Sequence, residues 1–179
     1  MIGLIVGLAA AVATPAVPGP YVAFGNSPAS ECSLAAQNRS EEANARASCN
    51  LALASGLSER ERVATLVNRG ALSLLIGDTR AAEADFDAAI AQAPAEPEAW
   101  LNKALSLQSR GASQDAILSF SRSIALGTSH PELALLGRGL AHETAGNLHA
   151  AYADLSQARA LAPSWQPAKA ELARYQVRR

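Results

Sequence analysis

Gly77–Pro94 reads GDTRAAEADFDAAIAQAP, Gly111–Thr128 reads GASQDAILSFSRSIALGT, and Gly146–Pro163 reads GNLHAAYADLSQARALAP. Their leading glycines stand 34 and 35 residues apart. Five residues after each glycine comes Ala82, Ala116 or Ala151, four further on Phe86, Phe120 or Leu155, and three more Ala89, Ser123 or Ala158. Upstream the same step runs through Leu66, Trp100 and Leu135, and through Gly70, Ala104 and Gly139. The single extra residue falls in the Thr128–Pro131 turn, where an insertion costs little. A period of this length marks stacked structural units.

Each recurring residue has a physical task. Apolar side chains spaced by three and four predict helices, so the fold class is all-α. Small residues at Gly70/Ala104/Gly139 and at Ala82/Ala116/Ala151 let the two helices of a hairpin cross with their backbones close together. The intervening glycine supplies the left-handed conformation that ends the first helix. The bulky residue at Phe86/Phe120/Leu155 is expected to wedge between one hairpin and the next. Pro94 and Pro163 stop the second helices of the first and third units, where the middle unit has Thr128. A single hairpin cannot bury its apolar face alone, so the units must stack.

These residues resemble the tetratricopeptide repeat, whose pattern runs Trp-x2-Leu-Gly-x2-Tyr, then Ala-x3-Phe, then Pro; the resemblance points to exported bacterial proteins containing it. The second unit carries Trp100, Ala104 and Ala116-x3-Phe120; the first carries Gly70, Ala82-x3-Phe86 and Pro94; the third carries Gly139, Ala151 and Pro163. Arg69, Lys103 and Arg138 replace the usual leucine, and Ser73, Leu107 and His142 the tyrosine. The resemblance covers Arg62 to Pro163. It implies an α-solenoid of three hairpins, over about 63–96, 97–131 and 132–165, within a domain at 58–179.

The flanks extend this plan. Residues 25–57 are expected to form a degenerate leading hairpin, with Cys32 in its first helix and Cys49 in its second. Within Glu41–Ala54, one face gathers Ala43, Ala47, Leu51 and Ala54, and Gly56 offers a C-cap. Ser58 and Glu61 form a capping box that starts the next helix. Residues 165–176 read as a closing helix that buries Ala168, Leu172 and Tyr175, with Arg174, Arg178 and Arg179 suiting its C-terminal end. Residues 1–24 differ in kind. Met1–Ala13 (MIGLIVGLAAAVA) is apolar, too short to span a bilayer, and similar to the core of a secretory signal, although no Lys or Arg precedes Arg39. The expectation is export to the periplasm or beyond, with this segment either removed or kept as a membrane anchor. Exported cysteines usually pair, so Cys32 and Cys49 either form a disulfide or remain as two buried free thiols.

The totals narrow the function. Aromatic residues make up 4% of the 179, and 15 basic residues balance 16 acidic ones for a net charge of −1. No basic stripe exists to neutralise a run of phosphates, so nucleic acid is not an expected partner. His130, His142 and His149 do not have the spacing of a zinc helix, although His142, His149 and Glu143 lie near one another in sequence. The cysteines form no metal motif. No catalytic residue, metal, cofactor or small-molecule substrate is expected.

What remains is the concave side that the resemblance implies, lined by first helices. Carried over by position, the partner-binding residues are Val67, Asn68, Ala71 and Leu74; then Glu98, Leu101, Asn102, Leu105 and Gln108; then Leu133, Leu136, Leu140 and Glu143. The family's carboxylate clamp wants lysine or asparagine where Val67, Ala71, Leu101 and Leu105 stand. The groove is more apolar, suiting an amphipathic helix or an extended apolar segment. The expected function is therefore a non-enzymatic scaffold of the cell envelope that holds a protein or peptide. The alternative is a structural subunit whose groove is filled by a neighbouring copy.

Overall fold

The structure, a computed structural model, describes residues 27–40 and 43–176. Among the described residues it contains nine helices and no strand. Helices α1 (Pro28–Gln37) and α2 (Ala43–Leu53) form a leading pair. Then come α3 (Glu59–Leu75) with α4 (Thr79–Gln92), α5 (Pro97–Ser109) with α6 (Ser113–Ala125), and α7 (Pro131–Thr144) with α8 (Leu148–Leu161); α9 (Gln166–Gln176) closes the series. Each helix packs on its neighbours in sequence, and the first helix α5 also touches both α3 and α7. Met1–Ala13, expected as leader or anchor, lies outside the described residues. Within them, no helix is long and apolar enough to cross a membrane.

Local chemistry sets the boundaries. Gly77, Gly111 and Gly146 have φ of +79°, +79° and +82°, the left-handed conformation that ends each first helix. Gly127 adopts it as well, at +80°. It closes α6, where the other second helices are followed by proline, and a five-residue turn replaces the four-residue turns after α4 and α8. Ser58 and Glu61 cap α3 reciprocally, Glu61 Oε2 accepting from Ser58 N at 3.0 Å and Ser58 Oγ from Glu61 N at 3.3 Å. The Ser58 hydroxyl also holds the Glu61 carboxyl below the usual carboxylate range.

The small positions bring the helices together. A methyl group on Gly70 would meet the Phe86 ring at 2.5 Å, and one on Gly137 would meet Phe120 at 2.3 Å. Phe120 therefore wedges against the following pair, as expected. Phe86 sits against Gly70 of its own pair. Both rings are fully buried, as are Ala82, Ala116, Ala151 and Leu155. Burying each phenylalanine contributes about 2–3 kcal/mol.

Two expectations for the leading pair need correction. The inward face of α2 is Ala45, Cys49 and Ala52, not the face of Ala47, Leu51 and Ala54, which are exposed. Cys49 decides this: once it is turned inward, the residues four before and three after it follow. Gly56 is not left-handed; the turn after α2 runs through Ser55, whose N–H and hydroxyl both donate to Ala52 O. At the far end, Ala168 and Leu172 are buried as the apolar spacing predicted, with Tyr175 packed beside them.

Candidate binding face

The first helices carry the residues marked for binding, and the structure sorts them into rows. Val67, Asn68 and Ala71, then Leu101, Asn102 and Leu105, then Leu133, Leu136 and Leu140, are all at most 8% exposed. Val67 belongs to an apolar cluster with Val63, Ala89 and Ala99. Leu101, Leu105 and Leu133 belong to one with Phe120 and Ala134, and Leu136 and Leu140 to one with Leu155 and Leu172. Leu74, Gln108 and Glu143, which share one position in the repeat, are partly exposed. Gln108 donates to Gly137 O at 3.2 Å, and Glu143 pairs with Arg174 at 2.9 Å. This row of an apolar, an amide and an acidic side chain is the open part of the face.

Glu98 has a different surrounding. Only 3% exposed, its carboxylate accepts from the Thr128 hydroxyl at 3.1 Å, from Ser129 N at 2.7 Å and from the Ser129 hydroxyl at 2.6 Å. It fastens the turn that carries the extra residue onto the start of α5. Its neighbour Glu96 accepts from Glu98 N at 3.4 Å; burial pushes the Glu96 carboxyl up from its ordinary value.

Arg69, Lys103 and Arg138, one position of the three units, all form ion pairs. Arg69 grips Asp85 with two hydrogen bonds, Nε to Oδ2 at 2.9 Å and Nη2 to Oδ1 at 2.6 Å, while Nη1 reaches Asn50 of α2 at 2.7 Å. The hydrogen bond to Asp85 raises the Arg69 pKa, against the opposing effect of burial. Arg138 repeats the arrangement with Asp154 and adds Ser121 at 3.1 Å. At the matching place in the middle unit, Lys103 turns to Asp87 of the preceding pair, because Ser119 stands where the others have aspartate. The sequence held a signal for this: Arg-Gly recurs at 69–70 and 138–139 with aspartate 16 residues after each arginine.

The histidines do not converge. His142 Nε2 lies 4.0 Å from Asp154 Oδ2, Glu143 turns to Arg174, and His149 is exposed at the start of α8. Arg174 is also paired with Glu171; Arg178 and Arg179 lie outside the described residues. Tyr175 contacts the Tyr152 ring at 5.9 Å, and burial, with Glu143 nearby, raises its pKa. Cys32 and Cys49 are joined by a disulfide, both side chains fully buried. No group of three or more His, Cys, Asp and Glu able to hold a metal ion is found among the described residues. No protein-family model matches the chain, and no curated protein matches it significantly.

Proposed function

We propose that the chain is a non-enzymatic scaffold of the tetratricopeptide kind, a solenoid that holds a protein or peptide segment along its first helices. The observation that carries this reading is the repeat itself. Small and apolar residues recur at the same places on α3, α5 and α7, and the Leu74, Gln108 and Glu143 row runs across all three helices. Stacked helical units of this type present extended surfaces suited to long, shallow ligands. The Cys32–Cys49 bond fits an oxidising compartment, and with it the exported, periplasmic location that Met1–Ala13 suggests.

The test uses the row rather than the buried leucines, since an arginine at Leu101 or Leu105 would bury a charge and unfold the chain. A photoreactive residue is placed singly at Leu74, Gln108 or Glu143, with the exposed Arg122 of α6 as control. The scaffold reading expects one common partner linked from all three row positions and none from Arg122. Equal linking from Arg122 would sink it. The self-associating alternative is favoured by Leu51 and Leu118, 64% and 69% exposed on second helices. Light scattering separates the two, because self-association predicts an oligomer that Leu118→Glu breaks up.

A further inference from the structure

The leading pair is built unlike the three that follow it. Ala45-x3-Cys49-x2-Ala52 repeats the spacing of Ala82-x3-Phe86-x2-Ala89, so the half-cystine stands where the other pairs have Phe86, Phe120 or Leu155. Around the bond the buried residues are Ala36, Ala45 and Leu72 of α3, with Ala35 and Leu75 partly buried. Leu34 and Leu51, which would enlarge this core, are 56% and 64% exposed. Polar ties from α2 to the next pair are few. Arg46 reaches Ser73 at 3.4 Å and Asp78 at 3.5 Å, Asn50 accepts from Arg69, and Leu53 O accepts from Arg62 at 3.4 Å. Beside the bond, the pair is held by this small, alanine-rich core, by Leu53 packed on the cluster of Val63, Leu66 and Val67, and by these polar ties.

We propose that Cys32–Cys49 is a reducible fastener: a dithiol opens it and releases α1 and α2 from α3, while the three following pairs stay folded. The step balances as thiol–disulfide exchange. A thiolate of the dithiol attacks one cysteine sulfur, the S–S bond breaks, and a mixed disulfide and a cysteine thiolate result. The second thiol of the dithiol then displaces the other cysteine. Cys32 and Cys49 gain two electrons and two protons, and the dithiol becomes a disulfide. Both sulfurs are fully buried, so attack waits on local opening of the leading pair. Release uncovers the side of α3 that carries Leu72, now 1% exposed.

Hydrogen–deuterium exchange of the full chain, oxidised and then reduced with dithiothreitol, tests this directly. Reduction is expected to speed amide exchange in α1 and α2 by about 10-fold or more, with α5 to α8 unchanged within about 2-fold. Unchanged exchange in α1 and α2 would overturn the proposal. Faster exchange across all pairs would also overturn it, since the bond would then staple the whole molecule. Cys32→Ala/Cys49→Leu refills the wedge without a bond. Its α1 and α2 amides are expected to ignore dithiothreitol, and a response equal to that of the unaltered chain would refute the fastener.

Discussion

Arg138 holds Asp154 through two parallel hydrogen bonds, each 2.8 Å long, which lock the first helix of the third repeat to the second. Asp154 is 7% exposed, and that guanidinium is the cation that pairs with it most closely. Arg69 holds Asp85 in the same two-bonded way in the first unit. Arg138→Leu alone strands a buried carboxylate and is expected to cost about 3 kcal/mol. Adding Asp154→Leu removes the stranded charge and should restore at least about 1 kcal/mol of that loss. Urea denaturation of the two variants checks this; a double variant no more stable than the single one would refute it.

Gly137→Ala is expected to destabilise despite the better helix propensity of alanine. The added methyl would sit 2.3 Å from the buried Phe120 ring, and relieving that overlap costs about 1–3 kcal/mol against a propensity gain of up to about 1. Ala116→Leu, at another fully buried position, should cost about 1–3 kcal/mol for the same reason. Melting midpoints decide both cases. Phe120→Leu in the Gly137→Ala background should recover part of the loss.

Glu98→Ala removes the acceptor for Thr128 and Ser129 and leaves the buried Thr128 hydroxyl without that partner. An expected loss of about 1–3 kcal/mol follows, accompanied by faster amide exchange in the α6–α7 turn. A loss without any change in that turn would mean that Glu98 acts elsewhere.

Glu96 gives a pH signature of known sign. Burial raises its folded pKa above the unfolded value, so its contribution to stability is full below the unfolded pKa and lost as pH rises through the folded one. Glu96→Gln keeps an acceptor for Glu98 N but carries no charge. It should melt above the unaltered chain at about pH 7 and level with it at about pH 3, where Glu96 is protonated. The reverse order would show that Arg60, which opposes the shift, outweighs burial.

Much of this molecule is legible in one dimension. The step from Gly77 to Gly111 to Gly146 marks where chains of helical residues must turn, because glycine alone enters the left-handed region without cost. Ala82, Ala116 and Ala151 mark small, fully buried positions, and Ala168, Leu172 and Tyr175 the face of the last helix. These are local properties, set by side-chain volume and helical spacing. The face of α2 is misread from sequence, since alanines occur on both sides of that helix and Leu51 draws the reading to the exposed one. Cys49 settled it through a bond to another helix.

The ion pairs lay between these extremes. The sequence by itself determined an all-helical chain, its hairpin boundaries and the residues small enough to sit at crossings, because each follows from nearest neighbours along the chain. Only the tertiary structure decided that Arg69 and Arg138 reach aspartates 16 residues on, that Lys103 turns back to the preceding pair, and that Glu98 fastens a turn. Long polar side chains span several ångströms in many rotamers, so their partners are chosen by which helices lie beside them.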